Sequence, residues 1–202
     1  MVKKKLIIIL LVILIIINWR NVKNKKEEKK LKKSKEIKNE IMAYKTKEVQ
    51  FLFGRQYINS LKSDIKKAKE KIFIQMFLIK YRYSETNPIY RLIEEIKKAK
   101  ERGVDIEVYL DNNIKDEDEN DNANKIIYKE LKKEGLKVKM DKSAKTYHSK
   151  VVIIDEEIIY CGSHNWTANA MNINDESSVR VKSKELAKYL VSKMKEEVKE
   201  FE

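Results

Sequence analysis

The chain has 202 residues with only 4 Gly, 1 Pro and 1 Cys, a composition that excludes collagen-like, loop-rich and disulfide-stapled architectures. The net charge of +13 is unevenly spread, because residues 1–46 hold 14 Lys/Arg and 4 Asp/Glu whereas residues 47–202 hold 31 and 28. The larger region is nearly neutral, and its overall charge does not indicate the basic stripe expected of a polynucleotide-binding domain.

The N-terminal region has two parts. Residues 6–17 are twelve consecutive aliphatic residues behind three lysines, which predicts a membrane anchor or signal segment over residues 1–19. No small-residue cleavage site follows, so we favour an uncleaved anchor. Residues 20–46 are rich in Lys and Glu and are predicted to form a hydrophilic spacer, whose cations can lie on anionic headgroups. The basic start resembles an export signal, so we expect the rest of the chain outside the cytoplasm, although Lys/Arg after the apolar run formally favour the opposite side.

From residue 47 onward, strand-like and helix-like patterns alternate. Short apolar runs predict strands at 49–53, 71–79, 105–110, 136–140, 148–154, 158–161 and 177–181. Apolar residues at helical spacing predict helices at 57–70, 87–102, 125–133 and 184–201. Helices between strands predict an α/β sandwich in which a mixed β-sheet is flanked by helices. The acidic stretch at 112–124 lacks calcium-loop spacing and is predicted to be a solvated loop.

One of the two histidines stands in a pattern that suits phosphate chemistry. His148, Lys150 and Asp155 form HxKxxxxD. His148 and Lys150 are two apart on a predicted strand, so both side chains point to one face. An imidazole beside an ammonium suits an anionic substrate such as a phosphodiester, because the cation disfavours imidazolium and keeps the ring nucleophilic.

A second polar group follows at the end of the next predicted strand. Gly162 precedes Ser163 and Asn165, whose hydroxyl and amide lie on one face and can donate to phosphate oxygens. Glu176 stands just before the last strand. A carboxylate that accepts from one imidazole nitrogen would fix the tautomer and leave the other nitrogen free to attack.

HxKxxxxD followed by GSxN and a later Glu resembles the phospholipase D superfamily, especially its small single-motif members, which include a bacterial endonuclease and a mitochondrial cardiolipin hydrolase. The similarity runs from about residue 49 to the C-terminus and includes the segments 75–77 and 97–112. The resemblance implies a phospholipase D-like catalytic domain over residues 47–202. It also implies a covalent phosphohistidine mechanism that needs no metal ion and no other cofactor.

The resemblance further implies roles for the motif residues by position. His148 would be the nucleophile and Glu176 would orient it. The positions implied to be catalytic are His148, Lys150, Asn165 and Glu176. The positions implied to bind the substrate phosphate are Lys150, Ser163 and Asn165. The motif positions expected to be structural are Asp155 and Gly162.

The mechanism needs two imidazoles, because one attacks and a second protonates the leaving oxygen and then activates water. Superfamily enzymes commonly carry two such motifs in one chain, whereas this chain has one. Strand alternation turns the other histidine, His164, away from the site. We therefore predict a homodimer that brings His148 of each subunit to a shared active site.

The predicted function is a phospholipase D-type phosphoric diester hydrolase. A phospholipid headgroup is the favoured substrate, because an anchor and a basic spacer would hold the site near a membrane. An endonuclease of the same superfamily that hydrolyses DNA or RNA is the alternative. A catalytically inactive module that binds anionic ligands is the second alternative, disfavoured because every motif position is filled.

Overall fold

A computed structural model of the chain describes residues 20, 22–29, 44–112, 123–141 and 146–198. The chain divides into two compact units, Met1–Tyr44 and Lys45–Glu202. In the first unit, residues 22–29 form an exposed helix with four Lys and two Glu. The predicted apolar segment at 6–17 and most of the predicted acidic loop lie outside the described residues.

The described part of the chain contains no helix that combines the length and the apolar character needed to cross a bilayer. The expectation of a membrane-anchored protein with an extracytoplasmic catalytic domain is contradicted by this finding and is not kept.

Seven strands form one mixed sheet in the described part of the second unit. In chain order they are β1 (Glu48–Phe53), β2 (Lys71–Met76), β3 (Asp105–Leu110), β4 (Lys137–Met140), β5 (Lys150–Ile154), β6 (Ile158–Gly162) and β7 (Ser177–Lys182). Across the sheet the order is β1-β7-β6-β5-β2-β3-β4. The strands β2, β3 and β4 pair in parallel, and the other neighbours are antiparallel.

Five helices of the second unit are described. They are α1 (Arg55–Lys67), α2 (Pro88–Glu101), α3 (Ala123–Lys133), α4 (Ala168–Asn172) and α5 (Lys184–Val198). The predicted α/β sandwich with a mixed sheet flanked by helices is confirmed. The short helix α4 was not predicted, because five residues are too few for a helical periodicity to appear in the sequence.

The two faces of the sheet carry separate cores, as the two-residue period of a strand requires. On one face, Ile72 and Ile74 of β2 belong to the core that α1, α2 and α3 cover. On the other face, Phe73 packs with Ala187 and Val191 of α5. Because β2 is buried on both faces, its sequence is a nearly continuous apolar run, and the strand lies inside the sheet.

The turn between β5 and β6 is fixed by Asp155. Its carboxylate accepts hydrogen bonds of 2.9 to 3.2 Å from the backbone N–H groups of Lys69, Glu70 and Lys71. Its own N–H donates to the Lys71 carbonyl oxygen at 2.7 Å. These bonds tie the start of β2 to the β5–β6 turn at the end of the sheet away from His148.

Removing the Asp155 carboxylate is expected to cost stability rather than chemistry. We expect Asp155→Ala to lower the free energy of unfolding by about 2 kcal/mol, because three backbone donors lose their acceptor. Urea denaturation measures this loss, and Glu156→Gln, a charge change in the same turn, is the control and is expected to stay near wild type. If Asp155→Ala kept full stability and lost only activity, the residue would instead belong to the active site.

Candidate active site

The paired imidazole and ammonium lie at the start of β5. Lys150 is the first residue of the strand and is 8% exposed, whereas His148 precedes it and is exposed. The Nζ of Lys150 lies 3.3 Å from Nδ1 of His148 and 3.5 Å from Nε2. It also donates to the His148 carbonyl oxygen at 3.0 Å. The structure thus brings together the two side chains that the motif pairs.

Phe77, which follows β2, supports this pair from the side. Its ring centroid lies 4.4 Å from that of His148 and 4.9 Å from Nζ of Lys150. Burial lowers the pKa of the Lys150 ammonium below its ordinary value, and the Glu176 carboxylate acts in the opposite direction. The sequence did not single out Phe77 as a site residue, because an aromatic residue at the end of a buried strand looks like a core residue.

Gly162 allows the end of β6 to approach β7 very closely. A Cβ at this position would lie 2.3 Å from Oγ and 2.4 Å from Cα of Ser178, so a larger residue forces the strands apart. Just beyond it, the Ser163 hydroxyl donates to the Glu176 carboxylate and accepts from Ser177 N–H at 3.0 Å. The close approach therefore brings two predicted site residues, Ser163 and Glu176, into contact.

Glu176 has two side-chain partners on the described residues, and His148 is not one of them. One carboxylate oxygen accepts from Ser163, and the other accepts from Asn174 Nδ2 at 3.2 Å. The carboxylate nevertheless lies close enough to Lys150 to influence its pKa. The predicted role of Glu176 in orienting His148 stays a prediction.

Asn165 opens onto a cleft of about 440 Å³, which we call the proximal cleft. Its amide makes no hydrogen bond with any described residue, and its Oδ1 is buried. An unpaired buried amide oxygen beside a cleft is a group that a bound substrate or water can satisfy. The lining is mostly polar and includes two cations, and its residues are Leu78, Lys80, Arg82, Asn87, Asn165, Thr167, Ala168, Asn169, Ala170 and Asn174.

Residues 163 to 166 alternate between the site and the core. His164 and Trp166 are fully buried, whereas Ser163 and Asn165 face the site. The His164 ring stacks on Tyr57 at 4.4 Å between centroids. Its ring nitrogens lie 2.8 Å from Ser178 Oγ and 3.2 Å from the Gly54 carbonyl oxygen, so both are engaged. His164 is therefore a core residue that packs beneath the site residues Ser163 and Asn165.

The candidate site thus consists of the exposed His148 imidazole next to the nearly buried Lys150 ammonium, together with a hydroxyl, an amide and a carboxylate. Such a set can bind a phosphate and attack it, because the donors stabilise the charge that develops on its oxygens. Within the described residues, no cluster of three or more His, Cys, Asp or Glu side chains can hold a metal ion.

The sequence and the fold are similar to those of known proteins. Residues 61–198 match the family described as "Cardiolipin synthase, PLD-like domain". A curated relative from Rickettsia conorii, named Phospholipase D, is 32% identical over 126 residues, which are 62% of this chain and 56% of that protein. The match therefore spans little more than half the length of the relative. The chain belongs to the phospholipase D superfamily.

Two solved structures are similar in fold. One is the phospholipase D family member Nuc from Salmonella typhimurium, with a TM-score of 0.62, 21% identity, and coverage of 74% of this chain and 92% of that one. The other is NucT from Helicobacter pylori, with a TM-score of 0.61, 22% identity, and coverage of 76% and 96%. The expected phospholipase D-like fold is confirmed.

The buried His164 is expected to make stability depend on acid pH. Burial lowers its pKa below the ordinary value of 6.5, so in the acid range below that value the unfolded chain binds more protons than the folded chain. Stability therefore falls as pH falls through this range. Urea denaturation at neutral pH and in mild acid is expected to reveal a larger loss for wild type than for His164→Gln. Equal losses would contradict this coupling.

Proposed function

We propose that this chain hydrolyses phosphodiesters through a covalent phosphohistidine, with His148 as the nucleophile. The observation that carries the proposal is the exposed imidazole held 3.3 Å from the nearly buried Lys150 ammonium. Lys150, Ser163 and Asn165 hold the phosphate oxygens and stabilise their charge in the transition state. Asp155 and Gly162 keep the strands in place and do not touch the substrate.

The reaction has two steps. A ring nitrogen of His148 forms a bond to phosphorus while the bond from phosphorus to the leaving oxygen breaks, and a second imidazole donates a proton to that oxygen. The same second imidazole then takes a proton from water, whose oxygen attacks phosphorus and breaks the bond to His148. Glu176 is proposed to orient an imidazole of this pair, in its neutral, nucleophilic tautomer.

Within these 202 residues, one copy supplies no second imidazole for the site. The sequence holds two histidines, and His164 is buried with both ring nitrogens engaged. We therefore infer a homodimer in which His148 of a second copy completes the site.

An apolar strip on β1 supports this dimer. Val49, Phe51 and Phe53 are 51%, 68% and 61% exposed, and they alternate along the strand, so they share one face. The strip ends beside the site, because Gly54 N–H donates to the Glu176 carbonyl oxygen at 3.2 Å. A second copy seated on this strip would cover apolar surface and lie next to the catalytic groups.

Two substrate classes follow from different observations. Cleavage of a phospholipid headgroup, favoured from the sequence, is supported by the name of the Rickettsia conorii relative. Cleavage of a nucleic-acid strand is supported by the proximal cleft, where Lys80 and Arg82 have no carboxylate partner among the described residues. The geometry favours the second class, because the cleft beside Asn165 is polar and cationic rather than an apolar channel for acyl chains.

The nucleophile is tested by replacing His148. We expect His148→Asn to abolish hydrolysis of bis(4-nitrophenyl) phosphate with unchanged stability, because the exposed ring contributes chemistry and little packing. Lys150→Ala and Asn165→Ala are each expected to lower kcat by about 10²–10³, as for other lost anion-stabilising donors. Activity of His148→Asn within tenfold of wild type would overturn the mechanism and favour an inactive binding module with a contaminating hydrolase.

The shared site is tested by mixing subunits. When wild type and His148→Asn exchange in equal amounts, half of the dimers are mixed and each of these has one imidazole at its shared site. Activity per wild-type chain is therefore expected to fall by about half. Unchanged activity per wild-type chain would contradict the shared site.

The strip on β1 gives an independent test of the same dimer. Phe51→Glu places a charge on the strip and is expected to yield a monomer with little activity, as measured by light scattering and hydrolysis. Ile126→Glu is the matched control, because Ile126 is 52% exposed on α3 at the opposite edge of the sheet. An active Phe51→Glu monomer would remove the strip from the interface.

A further inference from the structure

A second cleft lies next to the proximal cleft, beyond the short helix α4. It has a volume of about 240 Å³, and we call it the distal cleft. Cations and amides dominate its lining, which consists of Arg55, Ile58, Asn59, Lys62, Thr86, Pro88, Arg91 and Asn172. The proposed catalytic residues are absent from this lining, and the proposed reaction leaves the cleft unused.

The three cations of the distal cleft are not neutralised. Among the described residues, no carboxylate lies within salt-bridge distance of Arg55, Lys62 or Arg91. Glu95, which lies close enough to Lys62 to influence its pKa, is paired instead with Lys98 at 3.3 Å and with Lys66 at 4.0 Å. Burial and nearby cations, Lys66 and Arg91 among them, lower the pKa of Lys62. A site that concentrates positive charge in this way is complementary to an anion.

The two clefts adjoin each other. Asn169 of α4 lines the proximal cleft and Asn172, at the end of the same helix, lines the distal cleft. Asn87 and Thr86 are neighbours in the chain and face the proximal and the distal cleft respectively. These neighbouring linings indicate the path that a bound strand would follow from Asn165 past α4 to the distal cleft.

The distal-cleft cations are partly held in position. Arg55 Nε donates to Asn172 Oδ1 at 3.1 Å, and an Arg91 guanidinium nitrogen donates to the Thr86 carbonyl oxygen at 3.3 Å. Each arginine makes one such bond, so most of its five N–H donors remain available. A guanidinium aimed in this way can bind a phosphate with two parallel hydrogen bonds.

An exposed aromatic ring stands beside the path. Tyr83 is 80% exposed, and its ring meets that of Tyr90 edge-on, with 4.9 Å between centroids. Tyr83 follows Arg82 of the proximal cleft directly in the chain. Cations that follow a backbone together with exposed aromatic rings are the combination with which proteins bind single-stranded nucleic acid, because every base can stack on a ring.

We propose that the distal cleft is a second phosphate-binding subsite for a single nucleic-acid strand, whose scissile phosphate lies at His148. This inference rests on the proposed function and names the substrate class of that site. Lys80 and Arg82 hold the strand next to the scissile phosphate, and Lys62 and Arg91 hold a phosphate further along. Tyr83 stacks on a base between them.

A lipid bilayer fits the same surface less well. A membrane-binding surface presents its cations on a convex or flat face with apolar residues that insert between lipids. Here the cations line two concave clefts, and the apolar strip of Val49, Phe51 and Phe53 lies on β1, outside both linings. The clefts therefore suit a flexible chain of phosphates, which can follow their path.

The test compares long and short phosphodiesters with the full chain. The substrates are single-stranded oligonucleotides of about 16 and about 4 nucleotides, together with bis(4-nitrophenyl) phosphate. The variant is Lys62→Ala with Arg91→Ala, and the matched control is Lys67→Ala with Lys100→Ala on the same two helices. The control residues are exposed, line neither cleft and have no carboxylate partner among the described residues.

We expect the variant to lower the ratio of kcat/KM for the long oligonucleotide over that for the small diester by about tenfold or more. The salt dependence of long-oligonucleotide binding is expected to weaken by about 1.4 in the log–log slope, since each lost phosphate contact contributes about 0.7. The control is expected to match wild type. An unchanged ratio and slope in the variant would overturn the distal subsite.

Two further measurements separate this inference from the proposed function. Fluorescence anisotropy of the His148→Asn chain with the long oligonucleotide reports binding without hydrolysis, so it tests the clefts even if the catalytic proposal fails. Vesicles of phosphatidylcholine and phosphatidylglycerol report cleavage of lipid headgroups by the active chain. A loss of vesicle cleavage in the Lys62→Ala, Arg91→Ala variant with unchanged oligonucleotide binding would overturn the nucleic-acid assignment in favour of a lipid surface.

Discussion

The site depends on how closely β6 and β7 approach each other at Gly162. A side chain there would meet Ser178 at 2.3 Å, so the two strands touch only because this position carries no Cβ. The contact places Ser163 against Glu176, and Lys150 on the neighbouring strand comes within electrostatic reach of that carboxylate. Because these groups lie at the ends of hydrogen-bonded strands, their positions are set before any substrate binds, as the proposed electrostatic stabilisation of a transition state requires.

Most of the sheet could be predicted because each strand combines an apolar run with turn residues at its ends. The strand at Asp105–Leu110 was predicted with its observed bounds, and α2 begins at Pro88, where the Asn87 side chain accepts from Ile89 N–H at 2.8 Å. The helix α4 could not be predicted from its own five residues. It is stabilised by the Thr167 cap and by the neighbouring helices that pack against it. Tertiary contact, rather than local pattern, determines such a short helix.

The candidate site, like the fold, could be predicted from the sequence only in part. The spacing of two residues between His148 and Lys150 predicts a shared face, and the structure brings the side chains to 3.3 Å. The cationic clefts were missed because a net charge is a sum over the region and carries no positions. Much of the acidic charge is used elsewhere: Lys97 binds three glutamates, and Glu107 binds Lys71 and Lys195 at distances of 3.2 Å or less. Pairing in those places leaves the clefts with cations that have no carboxylate partner among the described residues, although the region as a whole is nearly neutral.

The two histidines explain why the proposed chemistry points to a second copy of the chain. His164 is held by Tyr57, Ser178 and Gly54, so its ring has no free nitrogen and no route to a substrate. His148 is held on one side by Phe77 and Lys150, and no hydrogen bond joins it to Glu176. An imidazole that is fixed from one side and open on the other can face its counterpart across a two-fold axis. In the proposed dimer, the exposure of the apolar strip that ends beside Glu176 has a physical reason, because the second copy would cover it.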